Sequence, residues 1–581
     1  IGQRAGRGGG AAGLEGSLSL TLTADQQKAF DQVRLDIERG RAGRHLLFGV
    51  TGSGKTEVYL RCAALARDLG RQTIYLVPEI SLVPQLAAKA AAWFDGQVAI
   101  LHSNLTPAQR FAEWDRIRRG EVKLIIGPRS ALFAPVARLG LIVIDEEHEN
   151  TYKQSEPEPR YDARKTAEIL GRLWRAPVVR GSATPDLESV RRWEMGELQP
   201  ARLPGRVAAR PMPAFTWVDM RKELREGHPH PVSRALLAAL AERKAKGEQA
   251  ILLMNRRGFH PYVLCRDCGK SLECPRCSIP LTYHRPAGGG GQPAGVAGRG
   301  RGWAEEGRLI CHYCDYQSGA TLACPHCGSR LLQYMGTGTQ RVEDYLAREI
   351  PELRVLRLDM DSTARPGSHG KILRAFQAGE ADALLGTQMV AKGFDFPLVT
   401  LSAVLHIDGI LNLPDYQSGE RAFQLILQTA GRAGRGERPG QVMVQTFYPE
   451  NPLLRLAEQG DFLSFYQKEM ACRQALDYPP AKVSARILVS ASREEDAKAG
   501  LEEIYDHCRQ SLPPERAAAV VWLGPARAPL ERIKNRWRWH LILLAASWAP
   551  LASCLVSARE KAAAWGDEPR LILDMEPRSL L

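Results

Sequence analysis

Short apolar runs return along this chain between longer amphipathic stretches. In the first third they fall at 45–50, 73–78, 98–103, 123–127, 141–145 and 178–182. Each has the length of a strand, and the segments between them carry apolar positions at helical spacing. That alternation predicts a mostly parallel sheet with helices on both faces. A second alternating series follows at 250–255, 354–358, 383–386, 401–407 and 441–446. Two such series in tandem predict two sheets facing one another across a cleft. The last hundred or so residues change character. Strands are expected at 485–491, 519–523, 537–546 and 570–575, with helices near 494–511 and 550–565, an α+β arrangement. The expected organisation is a disordered Gly/Arg-rich leader at 1–21, a first lobe at 22–205, and a second lobe at 206–262 and 331–478. A Cys-rich insertion at 263–330 interrupts the second lobe and contains a flexible stretch at 286–302, and a separate domain spans 479–581.

Composition narrows the class. A chain of 581 residues exceeds what one core organises. Apolar content of 44% and charged content of 25% belong to globular proteins. No run of about 20 apolar residues predicts a membrane span. Residues 1–21 lack the apolar centre of a signal peptide. A net charge of +13 suits a polyanionic partner, with an Arg-rich compositional bias as the plain alternative.

Two stretches carry the candidate chemistry. Gly49-Val50-Thr51-Gly52-Ser53-Gly54-Lys55-Thr56 fits the phosphate-loop pattern G-x-x-x-x-G-K-[ST]. It follows an apolar run and opens a helical segment at 55–69. That context lets the loop amides of Gly49, Gly52, Ser53 and Gly54 and a positive helix end wrap a phosphate chain. Lys55 is expected to reach the β- and γ-phosphates of ATP, and the Thr56 hydroxyl to hold Mg²⁺. The second stretch, Leu141 to His148, is an apolar strand ending in Asp145-Glu146-Glu147-His148. Asp145 is expected to share the Mg²⁺, and Glu146 to orient or deprotonate the attacking water. Glu147 and His148 are either solvated charge or a link to the nearby turn Gly181-Ser182-Ala183-Thr184-Pro185.

In the second lobe, Gln428-Thr429-Ala430-Gly431-Arg432-Ala433-Gly434-Arg435 places two arginines on one side of a helix. Arg432 and Arg435 are expected to approach the γ-phosphate from that lobe, so that hydrolysis reports lobe closure, as a motor requires. A basic helix face is the alternative.

Eight of the 12 cysteines form four C-x-x-C pairs: Cys265/Cys268, Cys274/Cys277, Cys311/Cys314 and Cys324/Cys327. Such pairs predict two closed Cys₄ sites for structural Zn²⁺. Spacing leaves two pairings open, adjacent (265/268 with 274/277) or nested. Directly after the acidic strand tip, Tyr152, Lys153, Arg160 and Tyr161 fall on an aromatic and basic loop that could stack on a base. An ordinary surface loop is the alternative. Ser103, Arg129 and Lys392 are further candidates for sequence-independent phosphate contact, which predicts binding that weakens steeply with salt.

The order Leu22-Thr23-Ala24-Asp25-Gln26, the phosphate loop, DEEH, GSATP, the run Gly386 to Phe394 and QTAGRAGR resembles superfamily-2 helicases. With LVPEISLVPQ at 76–85, LHSNLT at 101–106, GPRSALFAP at 127–135, NRRGF at 255–259 and the eight cysteines, the chain is more closely similar to the PriA family of bacterial replication restart. The resemblance runs from about residue 22 to the C-terminus. It implies two RecA-like lobes, ATP hydrolysis and 3′-to-5′ DNA unwinding, with fork remodelling and primosome assembly. The implied partners are single-stranded and forked DNA, single-stranded DNA-binding protein, and primosome and helicase-loading proteins. It further implies a monomer in the bacterial cytoplasm, associated with the nucleoid. By motif matching it implies that Gln26 reads adenine, that Gln428 and Gly393 lie at the nucleotide and that Asp395 lies near the ribose. It favours the nested zinc pairing, 265/268 with 324/327 and 274/277 with 311/314. A non-catalytic fork-binding scaffold that recruits partners through the zinc region is the alternative. The family pattern also has a 3′-end-binding domain and a winged helix ahead of the helicase, which are not found before residue 22. The expectation is a fragment, consistent with its opening on Ile1, or a member that lost them, with 3′-end recognition in doubt for this polypeptide.

Overall fold

The computed structural model describes residues 21–579 except 208–211, 255–261, 266–271, 277–280, 285–307, 312–315, 320–322, 331, 336–338, 360–361, 364–367, 388–389, 391–395, 414 and 435–437. The expectations for the leader, residue 21 apart, and for 286–302 lie outside the described residues. By its internal contacts the chain divides into two units.

The first unit holds 1–213 and two returning segments, Lys392–Pro397 and Ala430–Pro439. Its strands are β1 (Arg44–Gly49), β2 (Gln72–Leu76), β3 (Val98–Ile100), β4 (Leu124–Gly127), β5 (Leu139–Asp145), β6 (Val178–Ser182) and β7 (Gln199–Leu203). They form one parallel sheet in the order β3-β4-β2-β5-β6-β1-β7. The inner strands are apolar nearly end to end, as strands covered on both faces must be. Leu141 and Val143 pack into one core while Ile142 and Ile144 pack into the other. The helix Ala24–Arg39 starts at a capping box of Thr23 and Gln26 and stops at Gly40, which takes the left-handed conformation.

The second unit opens with β8 (Ala214–Asp219) and β9 (Gln249–Leu253). An antiparallel insertion follows: β10 (Tyr262–Cys265), β11 (Thr282–His284), β12 (Arg308–Ile310), β13 (Gln317–Gly319) and β14 (Leu332–Met335). The lobe resumes with β15 (Val355–Leu358), β16 (Ala383–Gly386), β17 (Val399–Val404) and β18 (Gln441–Thr446), giving a parallel sheet ordered β15-β16-β9-β17-β18-β8. The last strands, β19 (Val483–Ala491), β20 (Val520–Ile533), β21 (Arg536–Ala545) and β22 (Arg570–Met575), form an antiparallel sheet. Helices Glu494–Ser511 and Trp548–Ala562 cover one face of it and bury Leu501, Ile504, Leu551 and Leu555. Two RecA-like lobes, a Cys-rich insertion and an α+β C-terminal domain are therefore present. β7 and β8 were not anticipated, and β20 runs ten residues beyond its expected end at 523. β7 and β8 are edge strands whose partly exposed positions break the apolar run.

Candidate active site

The carboxyl ends of the central strands of the first unit lie level. Asp145 pairs with Gly181, Phe48 with Ser182 and Leu76 with Ile144. In an open parallel sheet this is the edge at which ligands sit. Beyond β1 the chain turns sharply through Gly52 and Gly54, both in the left-handed region at φ +83° and +81°. Gly54 caps the helix Lys55–Asp68, and a β-carbon there would also strike the Gln26 amide. Lys55 Nζ donates to the Gly49 carbonyl at 2.8 Å. Arg206 Nε donates to the Thr51 carbonyl at 3.1 Å. The Ser53 hydroxyl is buried with no hydrogen-bond partner. Such a group costs about 1–3 kcal/mol, and a phosphate oxygen would relieve it. Thr56 stands in the first turn of the same helix. A helix N-terminus, an ammonium and an unsatisfied hydroxyl on one loop fit a phosphate chain.

Gln26 is buried, and both ends of its amide are engaged. Its Oε1 accepts from Thr23 N at 2.9 Å, and its Nε2 donates to the Ser53 carbonyl at 2.8 Å. In this arrangement it braces the phosphate loop against the first helix.

Asp145 ends β5 among three tyrosines. Tyr75 donates to its Oδ2 at 3.1 Å, and the Tyr152 hydroxyl donates to its backbone carbonyl at 2.5 Å. Tyr59 meets Tyr75 edge-on, and its hydroxyl occupies the space that a side chain at Gly181 would fill. Burial, and then the Asp145 charge, keep all three phenols protonated. Burial and then the neighbouring Glu146 push Asp145 up to about 6, against the pull of Lys55 and Tyr75. Glu146 adopts φ +46°, a left-handed conformation that costs a residue with a β-carbon about 1–3 kcal/mol. Strain of this size is typical of functional positions.

Glu147 and His148 are the link to the 181–185 turn, not solvated charge. Glu147 accepts from Asp186 N and from the Ser189 hydroxyl, each at 2.8 Å. His148 Nδ1 lies 2.7 Å from the Ser182 hydroxyl. Arg164, almost wholly buried, donates to the Glu147 carbonyl at 2.9 Å and reaches Asp186 at 3.3 Å while pairing with Asp162 at 2.6 Å. Sequence reasoning missed Tyr59, Tyr75 and Arg164. They come from separate elements and carry no contiguous motif that would have marked them.

The segment bearing the candidate arginines belongs to the first unit by its contacts. Gly431 lies so close to Thr51 of the phosphate loop that a side chain there would collide with it. Arg432 is buried in the following turn. Gln428 is half-buried on the helix Ser418–Ala430 of the second unit. Arg435, Lys392, Gly393 and Asp395 lie outside the described residues.

The DNA-facing candidates divide. Tyr152 is fully buried and Lys153 nearly so, with its ammonium donating to the Arg160 carbonyl at 3.1 Å. Neither presents a surface to a base, which corrects the expectation that they touch DNA; both instead hold the loop in place. Arg129 donates to the Thr151 carbonyl at 2.9 Å and so braces the same loop. Arg160 is tied to Glu158 and the Ser155 carbonyl. Ser103 is exposed. Tyr161 is half-buried and meets Phe133 edge-on at 5.2 Å between centroids. Phe133, 59% exposed, is the open aromatic of this patch. It sits in the 127–135 fingerprint, where it had not been singled out.

Of the eight insertion cysteines, Cys268, Cys277 and Cys314 lie outside the described residues, and Cys265 is described only as part of β10. Cys274 and Cys311 share one buried cluster with Leu272, Leu281 and Leu309. Arg276 N donates to Cys274 Sγ at 3.3 Å, and His326 N donates to Cys324 Sγ at 3.4 Å. An amide two residues on, aimed at the sulfur, stabilises a thiolate and orients it for metal. Cys327 lies in the same turn as Cys324. The donor set fits Zn²⁺, and among the described residues Cys274 and Cys311 are the two of these cysteines that fall in one buried cluster.

Known families match the chain in order. The DEAD/DEAH box helicase family matches residues 23–193, and the PriA DNA helicase Cys-rich region matches 274–288 and 304–318. The helicase conserved C-terminal domain matches 326–437, and the primosomal protein N C-terminal domain matches 474–578. The chain is 45% identical to the replication restart protein PriA of Bacillus subtilis (strain 168), over 90% of this chain and 62% of that one. It is 42% identical to the PriA of Synechocystis, over 86% of this chain and 58% of the relative. Against the PriA of Chlamydia muridarum it is 36% identical, over 96% of this chain and 71% of the relative. The chain thus spans about three fifths of the length of the first two relatives. With helicase, Cys-rich and C-terminal matches in one order along a single polypeptide, this chain belongs to the PriA family of replication restart proteins.

Proposed function

We propose that this chain is an ATP-driven DNA helicase that moves 3′ to 5′, remodels stalled or branched forks and starts primosome assembly. The observation that carries the reading is the seat of Gly431 against Thr51, which brings the Arg432 turn to the phosphate loop. In this reading Lys55 neutralises the β- and γ-phosphates, the amides of Gly49, Gly52, Ser53 and Gly54 hold their oxygens, and Arg432 and Arg435 meet charge that develops in the transition state. Thr56 and Asp145 would hold Mg²⁺, whose charge screens the phosphates when bound. Glu146 takes the proton of the attacking water. Gln26 reaches adenine by exchanging one of its two bonds, and Gln428 and Gly393 border the nucleotide. Two Zn²⁺ stiffen the insertion. Ser103, Arg129, Arg160, Tyr161 and Lys392 line the DNA path with Phe133. The partners are single-stranded and forked DNA, single-stranded DNA-binding protein, and primosome and helicase-loading proteins, met by a monomer in the cytoplasm. Among the described residues no helix is long and apolar enough to cross a membrane. A scaffold without catalysis would have no use for this loop, and that reading is set aside.

The test is ATP hydrolysis and strand separation on forked substrates with and without a leading-strand 3′ end. DNA should stimulate hydrolysis, and 3′-tailed duplexes should open while 5′-tailed duplexes do not. Opening of 5′-tailed duplexes alone would overturn the direction, and hydrolysis indifferent to DNA would overturn the motor.

Two further outcomes belong to the same reading. Tyr75→Phe keeps the ring but removes the donor to Asp145. The Mg²⁺ concentration for half-maximal hydrolysis should rise about tenfold, as for other residues that orient a metal ligand. An unchanged magnesium titration would reduce Tyr75 to packing. Chelation of zinc should depress unwinding more than DNA-free hydrolysis. Equal loss of both, in parallel assays, would mean that the cysteines merely hold the lobe together.

A further inference from the structure

The insertion has a docked neighbour within the second unit. β20 and β21 form a hairpin whose tip, Lys534-Asn535, takes the left-handed conformation at both residues, φ +53° and +61°. That pattern is a two-residue turn matched to the twist of a hairpin. The tip reaches the Cys-rich insertion. Asn535 N donates to the Arg276 carbonyl at 2.7 Å, one residue short of Cys277. Leu530 and Ile533 of the same hairpin pack on the cluster that contains Cys274 and Cys311. The Arg276 guanidinium lies over the Tyr316 ring at 5.3 Å, beside the same contact. Arg538 holds the hairpin from within by donating to the Leu530 carbonyl at 3.1 Å.

The far end of the C-terminal domain is tied as well. The Tyr416 hydroxyl donates to the Pro577 carbonyl at 3.2 Å, Arg421 donates to the Arg578 carbonyl at 2.5 Å, and the Ser579 hydroxyl donates to Asp415 at 2.6 Å. These residues flank the start of the helix Ser418–Ala430, which leads toward Arg432.

We propose that the Cys274/Cys311 knuckle is the docking platform for the β20–β21 hairpin, and that zinc binding there fixes the C-terminal domain as a strut between the insertion and the base of the Ser418–Ala430 helix. The hairpin contacts a backbone carbonyl and apolar side chains within a few residues of Cys274 and Cys311. Loss of the metal frees that turn and removes the surface on which Leu530 and Ile533 rest. The proposal rests on the reading that Cys274 and Cys311 share one zinc.

The experiment is hydrogen–deuterium exchange on the full chain, zinc-loaded and zinc-stripped, with zinc content measured on the same samples. On stripping, amides of 530–538 should exchange at least about tenfold faster and those of 415–421 should follow, while the β19 amides keep their protection. Unchanged exchange at 530–538 in a sample shown to have lost its zinc would overturn the docking. A freed hairpin with 415–421 unchanged would overturn the strut. A variant carrying Leu530→Ser and Ile533→Ser approaches from the other side. It should release one of two zincs faster to a chelator, and release at the native rate would also overturn the proposal. The double variant Cys274→Ser/Cys311→Ser should lower the zinc content by one only. Loss of both zincs, or of none, would sink the shared-zinc reading itself, separately from the docking.

Discussion

Lys55→Ala should abolish DNA-stimulated ATP hydrolysis while leaving the fold intact. Lys55 begins a helix at a turn that two left-handed glycines shape, and its ammonium leans on the Gly49 carbonyl of the same loop. In the absence of nucleotide that charge-assisted bond is worth about 1.5–3 kcal/mol, small beside the two buried faces of the first sheet. With nucleotide bound, the same ammonium faces charge that grows as the terminal bond breaks. Loss of one such preorganised donor typically lowers turnover about 10²–10³-fold. The decisive comparison is steady-state hydrolysis with single-stranded DNA, set beside the circular dichroism and melting of the same preparation. A variant that melts like the parent and turns over at the parent rate would remove Lys55 from the mechanism. A variant that binds a fluorescent nucleotide normally but does not turn over would assign the ammonium to the transition state and not to ground-state binding.

The parts of this site that the sequence disclosed are those in which chain order and spatial order agree. The phosphate loop is contiguous, so its glycines, Lys55 and Thr56 are read together. Asp145 follows four apolar residues and has to emerge at a strand tip. The parts that stayed hidden depend on register across the sheet. Tyr59, Tyr75 and Gly181 come from a helix and two strands, and only the alignment of strand ends brings their atoms around Asp145. Tyr152 shows the opposite failure. A tyrosine in a polar loop reads as exposed, but its hydroxyl donates to the Asp145 carbonyl, with the Leu76 carbonyl sharing the same hydrogen at 3.2 Å, and its ring fills the core beneath them. Burial of a side chain in a loop is a tertiary fact with no local signal. The strands were legible for the same reason as the loop, since interior parallel strands are apolar runs. β7 and β8 escaped because an edge strand needs only one neighbour and tolerates Gln199, Pro200 and Arg202 in β7 or Thr216 and Asp219 in β8.

Arg164→Met should cost the first unit about 3–5 kcal/mol, the cost of leaving buried carboxylates without their partner. The arginine is 1% exposed and serves three groups at once: Asp162, Asp186 and the Glu147 carbonyl. Methionine fills much of the same volume, so the loss measures charge and hydrogen bonding more than a cavity. Glu147 is already pushed upward by burial and by Asp186, with Arg180 and Arg164 pulling against them. Removal of Arg164 deletes one of those two opposing charges. The readout is the urea dependence of amide exchange in β5 and β6, which follows this unit apart from the rest of a chain too large to unfold in one step. A loss below about 1 kcal/mol would mean that water reaches the carboxylates and that the network is not sealed. Asp162→Asn in the Arg164→Met background separates the terms. It removes the charge stranded most directly, so the double variant should lose less than the sum of the two single variants. A purely additive result would place Arg164's contribution in Asp186 and the Glu147 carbonyl. Those two contacts connect the acidic strand tip to Asp186, directly after the turn at 181–185, and hydrolysis should then fall further than nucleotide binding does.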